Sequence, residues 1–112
     1  MDSIRQQKVN SLLKKELSII FQEESRNLLG GKFITVTQVR VSPDLGLAKV
    51  YLSFMAEKEI NAALELVKSA GWQIRKNLGS KIGKQVRVIP ELHFYIDDSL
   101  DYFEEIDRLL KK

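Results

Sequence analysis

The sequence predicts an α+β fold: one three-stranded sheet covered by helices on a single face, in the order α-β-β-α-kink-α-β with an added C-terminal helix. Three observations carry that expectation. An apolar stripe at helical spacing opens the chain, two β-branched runs flank "SPDLG", and two amphipathic segments meet at Ser69-Ala70-Gly71 ahead of a third strand-like run. At 112 residues the chain is expected to form a single domain, 1–112, large enough to bury a core without disulfides or a structural metal.

Ser3 followed by Gln6 is a capping-box pattern, and Val9, Leu12, Leu13, Leu17, Ile20 and Phe21 then recur on one helical face. A helix is therefore expected from about Ile4 to Asn27, stopped by Gly30-Gly31. In "FITVTQVRV" the apolar phase slips from Ile34 and Val36 to Val39 and Val41, which predicts a bulge or twist near Gln38. "LAKVYLSFM" alternates cleanly, with Ala48, Val50, Leu52 and Phe54 on one face, and should pair with the preceding strand as an antiparallel hairpin. Ile60, Ala63, Leu64 and Val67 mark one helix; Ile74, Leu78 and Ile82 mark the next. "VRVIPELHFYI" reads as a third strand with Val86, Val88, Leu92, Phe94 and Ile96 inward and Pro90 at an edge or bulge. Leu100, Phe103, Ile106, Leu109 and Leu110 give the added amphipathic helix.

Composition removes several kinds of chemistry. With no cysteine there is no thiolate metal site or cysteine nucleophile, and a single histidine, His93, makes no metal cluster or recognisable triad. "GSKIGKQ" fails as a phosphate loop, because its spacing is short, Gln85 replaces Ser/Thr, and it ends a helix rather than opening one. The acids Asp97, Asp98, Asp101, Glu104 and Glu105 fit the start of a helix better than a cation loop. Asp44 is explained by its turn. No enzyme, cofactor or metal is expected. No run is long and apolar enough for a membrane span, and no apolar leader precedes the first helix, so a soluble, cytoplasmic protein is expected.

The net charge is only +3, so the placement of charge matters more than its sum. Between Glu65 and Glu91 there is no acid, yet Lys68, Arg75, Lys76, Lys81, Lys84 and Arg87 all fall there. On a helical wheel Arg75, Lys76, Gly79 and Gly83 lie within about 60° of Trp72, opposite Ile74, Leu78 and Ile82. An aromatic beside cations and small residues suits base stacking and phosphate contact; the alternative is that Trp72 folds back over the sheet edge or the kink. Arg75, Lys76 and Lys84 are expected to project into solvent, so that replacing them would barely change stability. Gly71 is expected to make the bend, through φ > 0 or a tight approach.

The element order matches the type II KH-like sandwich of RNA-binding modules, in which the connection between consecutive helices contacts nucleic acid and normally carries GxxG. Here that connection is Ser69-Ala70-Gly71. With "RQQKVNSLLKKEL", "VTQVRVSPDLGLAKVYLS" and "VIPELHFYIDDSLDYFEEIDRLL", the sequence resembles the ribosome-binding factor A family over nearly its whole length. That family replaces GxxG with an Ala-x-Gly kink, and Ser69 stands where alanine is usual. The resemblance implies a non-enzymatic assembly factor that binds the immature 30S subunit near 5′-end elements of 16S rRNA and supports its late maturation and processing, especially in the cold. The expected rRNA surface is Lys68, Ser69, Ala70, Gly71, Trp72, Arg75, Lys76, Lys81, Lys84 and Arg87, on a protein expected to act as a monomer. Two other functions remain open from the residues: a protein-interaction module using the acidic C-terminal helix, and a generic single-stranded RNA binder.

Overall fold

Ser3 starts the first helix as its pattern requires. Its hydroxyl accepts from the Gln6 N–H at 3.1 Å, and Gln6 Oε1 accepts from the Ser3 N–H at 2.9 Å. A computed structural model describes residues 2–54 and 57–97, and in it this helix, α1, spans Ile4–Glu23. Gln6 is itself buried, and its Nε2 donates to the carbonyl of Val41 at 3.1 Å, so the cap also ties α1 to the sheet. The single helix expected to reach Asn27 is divided: Glu24 leaves helical geometry at φ −98°, ψ 10°, and α2, Ser25–Leu28, adds one further turn. Gly30 and Gly31 then take φ of 62° and 75°, left-handed values that glycine adopts without steric penalty.

Strands β1, Thr35–Val41, and β2, Leu47–Ser53, form the expected antiparallel hairpin. Their register slips between Val36 and Gln38, which leaves Thr37 as the extra residue of a bulge. The turn is held by Asp44, whose carboxylate accepts from the Ser42 hydroxyl at 2.6 Å and from the Gly46 N–H at 3.0 Å. The Ser42 hydrogen bond, with the Gly46 amide behind it, holds the Asp44 carboxyl below its ordinary value.

The chain then climbs through α3, Ile60–Ser69, and α4, Gly71–Ile82, before it descends into β3, Glu91–Ile96. This crossover makes β3 parallel to β2, and the mixed sheet runs β1-β2-β3. The third strand is shorter than expected. Residues 86–90 lie outside it, and Val88 is 58% exposed instead of inward. Pro90 has no N–H to give a ladder and is buried just before the strand; pairing begins where the Glu91 N–H reaches Gly46 O at 2.9 Å. The expected C-terminal helix, with Asp98, Asp101, Glu104 and Glu105, lies outside the described residues.

Register sorts the sheet into two faces. Val39, Val50 and Phe94 align inward, as do Val36 and Leu52, and they bury against Leu13, Leu17, Ile20 and Phe21 of α1 and Ile74, Leu78 and Ile82 of α4. Phe21 meets Phe94 with ring centroids 6.2 Å apart. A helical layer on one face of a mixed sheet brings the α3–α4 junction beside β3, an edge strand of the sheet.

Candidate nucleic-acid interface

The bend between α3 and α4 is made by Ala70 rather than by Gly71. Ala70 sits at φ −90°, ψ 2°, in the bridge region that breaks helical continuity. Its N–H is shared between Leu66 O and Val67 O, both at 3.1 Å, so the last turn of α3 tightens before α4 begins. Ala70 is only 5% exposed and belongs to the core, so its methyl group anchors the bend and does not face a ligand. The left-handed conformation expected of Gly71 is not adopted; among the described glycines only Gly30 and Gly31 have positive φ. A Cβ at Gly71 would meet the Phe94 ring at 3.5 Å, an ordinary contact. Gly71 is therefore neither the hinge nor a position where a side chain would be forced out.

Beyond the bend, Trp72 projects outward and is 67% exposed. It separates two concavities. One, of about 450 Å³, runs between the junction and the β3 edge, lined by Lys68, Gly71, Trp72 and Arg75 on one wall and residues 91–95 on the other. The second, of about 470 Å³, lies on the far side of Trp72 and Arg75, over Lys76, Gly79, Val88 and Ile89. Gly79 forms part of this second floor, where a Cβ would make an ordinary 3.6 Å contact with the Ile89 side chain.

The cations differ in how free they are. Arg75 is exposed as expected but is not free: its Nε donates to Pro90 O at 3.0 Å and its terminal nitrogen to Ile89 O at 2.7 Å. Its guanidinium thus fastens the descending segment to α4, and Arg75 lies between the two concavities as part of both linings. Lys68 pairs with Glu65 at 3.8 Å and Lys81 with Glu23 at 3.9 Å, both at reaches typical of weak surface pairs. Lys76, Lys84 and Arg87 are exposed, and among the described residues none has an acidic partner. Ser69 is exposed, with its hydroxyl donating to Leu66 O at 2.7 Å. Trp72, Lys76 and the exposed guanidinium of Arg75 are thus brought together at the two concavities, Lys68 and Ser69 border the first, and Lys84 and Arg87 follow α4. Sequence reasoning missed the opposite wall, where His93 and Tyr95 face the junction; their outward phase was visible in the strand alternation, but the parallel pairing that puts β3 at the edge was not.

A family model described as ribosome-binding factor A matches residues 5–110. The chain belongs to the ribosome-binding factor A family. It is 51% identical over 112 residues to ribosome-binding factor A of Cytophaga hutchinsonii, covering all of this chain and 84% of that one. It is 41% identical over 111 residues to the family member of Flavobacterium psychrophilum, covering 98% and 85%. Among solved structures, the crystal structure of ribosome-binding factor A from Thermus thermophilus superposes with a TM-score of 0.68 at 25% identity, over 81% of this chain and 94% of that one. A second T. thermophilus structure, a homology model of the family member fitted into a cryo-electron microscopy map of its complex with the 30S subunit, gives 0.62 at 26% identity over 80% and 91%. The family's fold is the α+β, KH-like arrangement described above, and its name denotes ribosome binding rather than a catalysed reaction.

Proposed function

We propose that this chain is a non-enzymatic small-subunit assembly factor that binds the immature 30S subunit through 16S rRNA and supports its late maturation and rRNA processing, acting as a cytoplasmic monomer with its largest effect in the cold. The observation that carries this reading is the exposed Trp72 between two concavities, bordered by Lys76 and followed by Lys84 and Arg87, cations with no acidic partner among the described residues. Phosphate contacts position a protein on RNA, and an exposed aromatic ring gives a base a stacking surface. The concavity at the helix junction occupies the place where a KH module clamps a short stretch of backbone. Here side-chain cations and the low Gly71 surface take the part of a GxxG loop. The T. thermophilus family member fitted into a 30S complex supports the same partner for this chain.

Co-sedimentation with purified 30S, 50S and 70S particles tests the reading. The protein should travel with 30S particles and not with 50S. Equal recovery with all particles and with free RNA would make it a generic RNA binder instead.

A further inference from the structure

The sheet face turned away from the helices carries a second pattern. Register fixes two cross-strand rows on it: Arg40 opposite Lys49 opposite His93, and Gln38 opposite Tyr51 opposite Tyr95. Like charges placed directly opposite on neighbouring strands repel. Asp2 lies 3.7 Å from Arg40 at one end of the first row, and Glu91 lies 3.4 Å from His93 Nε2 at the other. Lys49, between them, is exposed and has no acidic partner among the described residues. Beside the second row, the bulge residue Thr37 donates its hydroxyl to the Asp97 carboxylate.

In that second row Tyr51 and Tyr95 lie with ring centroids 5.7 Å apart and planes tilted by 31°. Tyr95 is 41% exposed. A concavity of about 490 Å³ opens beside Arg40, Lys49 and Tyr51 and extends to the Ser42-Pro43 turn. His93 and Tyr95 also line the concavity at the helix junction. The two surfaces are therefore continuous around the β3 edge.

We propose that the open sheet face is a second contact surface for single-stranded RNA, continuing from the junction over Tyr95, with bases against Tyr95 and Tyr51 and a phosphate at Lys49. Stacking on tyrosine is tolerant of sequence, and an exposed ammonium opposite Arg40, with no acidic partner among the described residues, is a seat for a phosphate. An acidic peptide would satisfy Lys49 but offer the paired rings no planar partner. The proposal rests on the reading that the junction takes RNA, and the two can fail separately.

The test uses the full chain and fluorescein-labelled single-stranded RNAs of about four and about twelve nucleotides, the shorter matching what a KH groove clamps. Affinities are measured by anisotropy for the wild type, for Tyr51→Leu, for Lys49→Gln, and for Lys76→Gln with Lys84→Gln, with circular dichroism confirming each fold. Tyr51→Leu, which removes a ring lying outside the junction concavity, should lose roughly tenfold affinity for the longer RNA and none for the shorter. Lys49→Gln, a surface change that spares the fold, should lower the salt slope for the longer RNA by about 0.7. Longer-RNA binding unchanged in both sheet variants overturns the second surface; binding of both RNAs unchanged in the α4 variant overturns the reading beneath it. Tighter RNA binding by the sheet variants would assign the face to an acidic segment and also overturn the proposal. Ultraviolet crosslinking of the wild type to 30S particles gives an independent measurement. Adducts at Tyr51 or Tyr95 are expected, and adducts confined to the α3–α4 junction contradict it.

Discussion

Arg75 separates a structural role from a binding role within the basic segment. Its two hydrogen bonds, to Pro90 O at 3.0 Å and Ile89 O at 2.7 Å, hold the segment that leads into β3. Hydrogen bonds from a charged group contribute about 1.5–3 kcal/mol each when shielded, and the exposure of this guanidinium reduces that, so Arg75→Gln should cost about 1–3 kcal/mol in total. Lys76→Gln and Lys84→Gln, which break no side-chain interaction among the described residues, should stay within about 0.5 kcal/mol. Urea unfolding at neutral pH measures all three, and Arg75→Gln should lower the midpoint without changing the slope. Arg75→Lys should recover part of the loss, because an ammonium can reach one carbonyl but cannot bridge two as a planar fork does. An Arg75→Gln midpoint indistinguishable from that of Lys76→Gln would refute the assignment of Arg75 as the clasp of the descending segment.

The bend supplies a second expectation: Ala70→Leu should cost about 1–3 kcal/mol by overpacking a core position, whereas Gly71→Ala should change stability by less than about 1 kcal/mol. Thermal or urea unfolding of the pair checks it, and the reverse order would return the hinge to Gly71. The turn supplies a third. Because the folded-state pKa of Asp44 is lowered from 3.8, its contribution is present above that value and fades as pH falls through the lower folded value. Asp44→Ala should therefore destabilise more at neutral pH than near pH 3, and an equal loss at both would show that the charge contributes nothing.

Much of the fold was legible because it rests on local rules. The capping box at Ser3 and Gln6, the glycine stop at Gly30-Gly31, the phase slip that became the Thr37 bulge and the "SPDLG" turn each follow from near neighbours in sequence. The failures are tertiary. Val88 alternates correctly for a strand yet is exposed, because Pro90 and the grip of Arg75 delay pairing until Glu91. Arg75 sits on the solvent side of the helical wheel, as counted, but a wheel does not show that a later segment passes within reach of it. Ala70 and Gly71 were misassigned for a related reason: glycine is the residue associated with bends, while a buried alanine in a bridge conformation leaves no mark in composition. The cations of the candidate site were found from an acid-free interval in the sequence, whereas the opposite wall at His93 and Tyr95 depended on the parallel β2–β3 pairing.

The central claim, that the cations following Trp72, which have no acidic partner among the described residues, meet rRNA phosphate, is tested most directly by the salt dependence of 30S binding. Wild type and the variant Lys76→Gln, Lys84→Gln, Arg87→Gln would be titrated against 30S particles across a range of salt, with the unfolding midpoint confirming that both are folded. The variant should bind more weakly, and the slope of log K against log salt should be shallower by about two to three units. A folded variant with unchanged affinity and an unchanged slope would contradict the account and move recognition to another face of the protein.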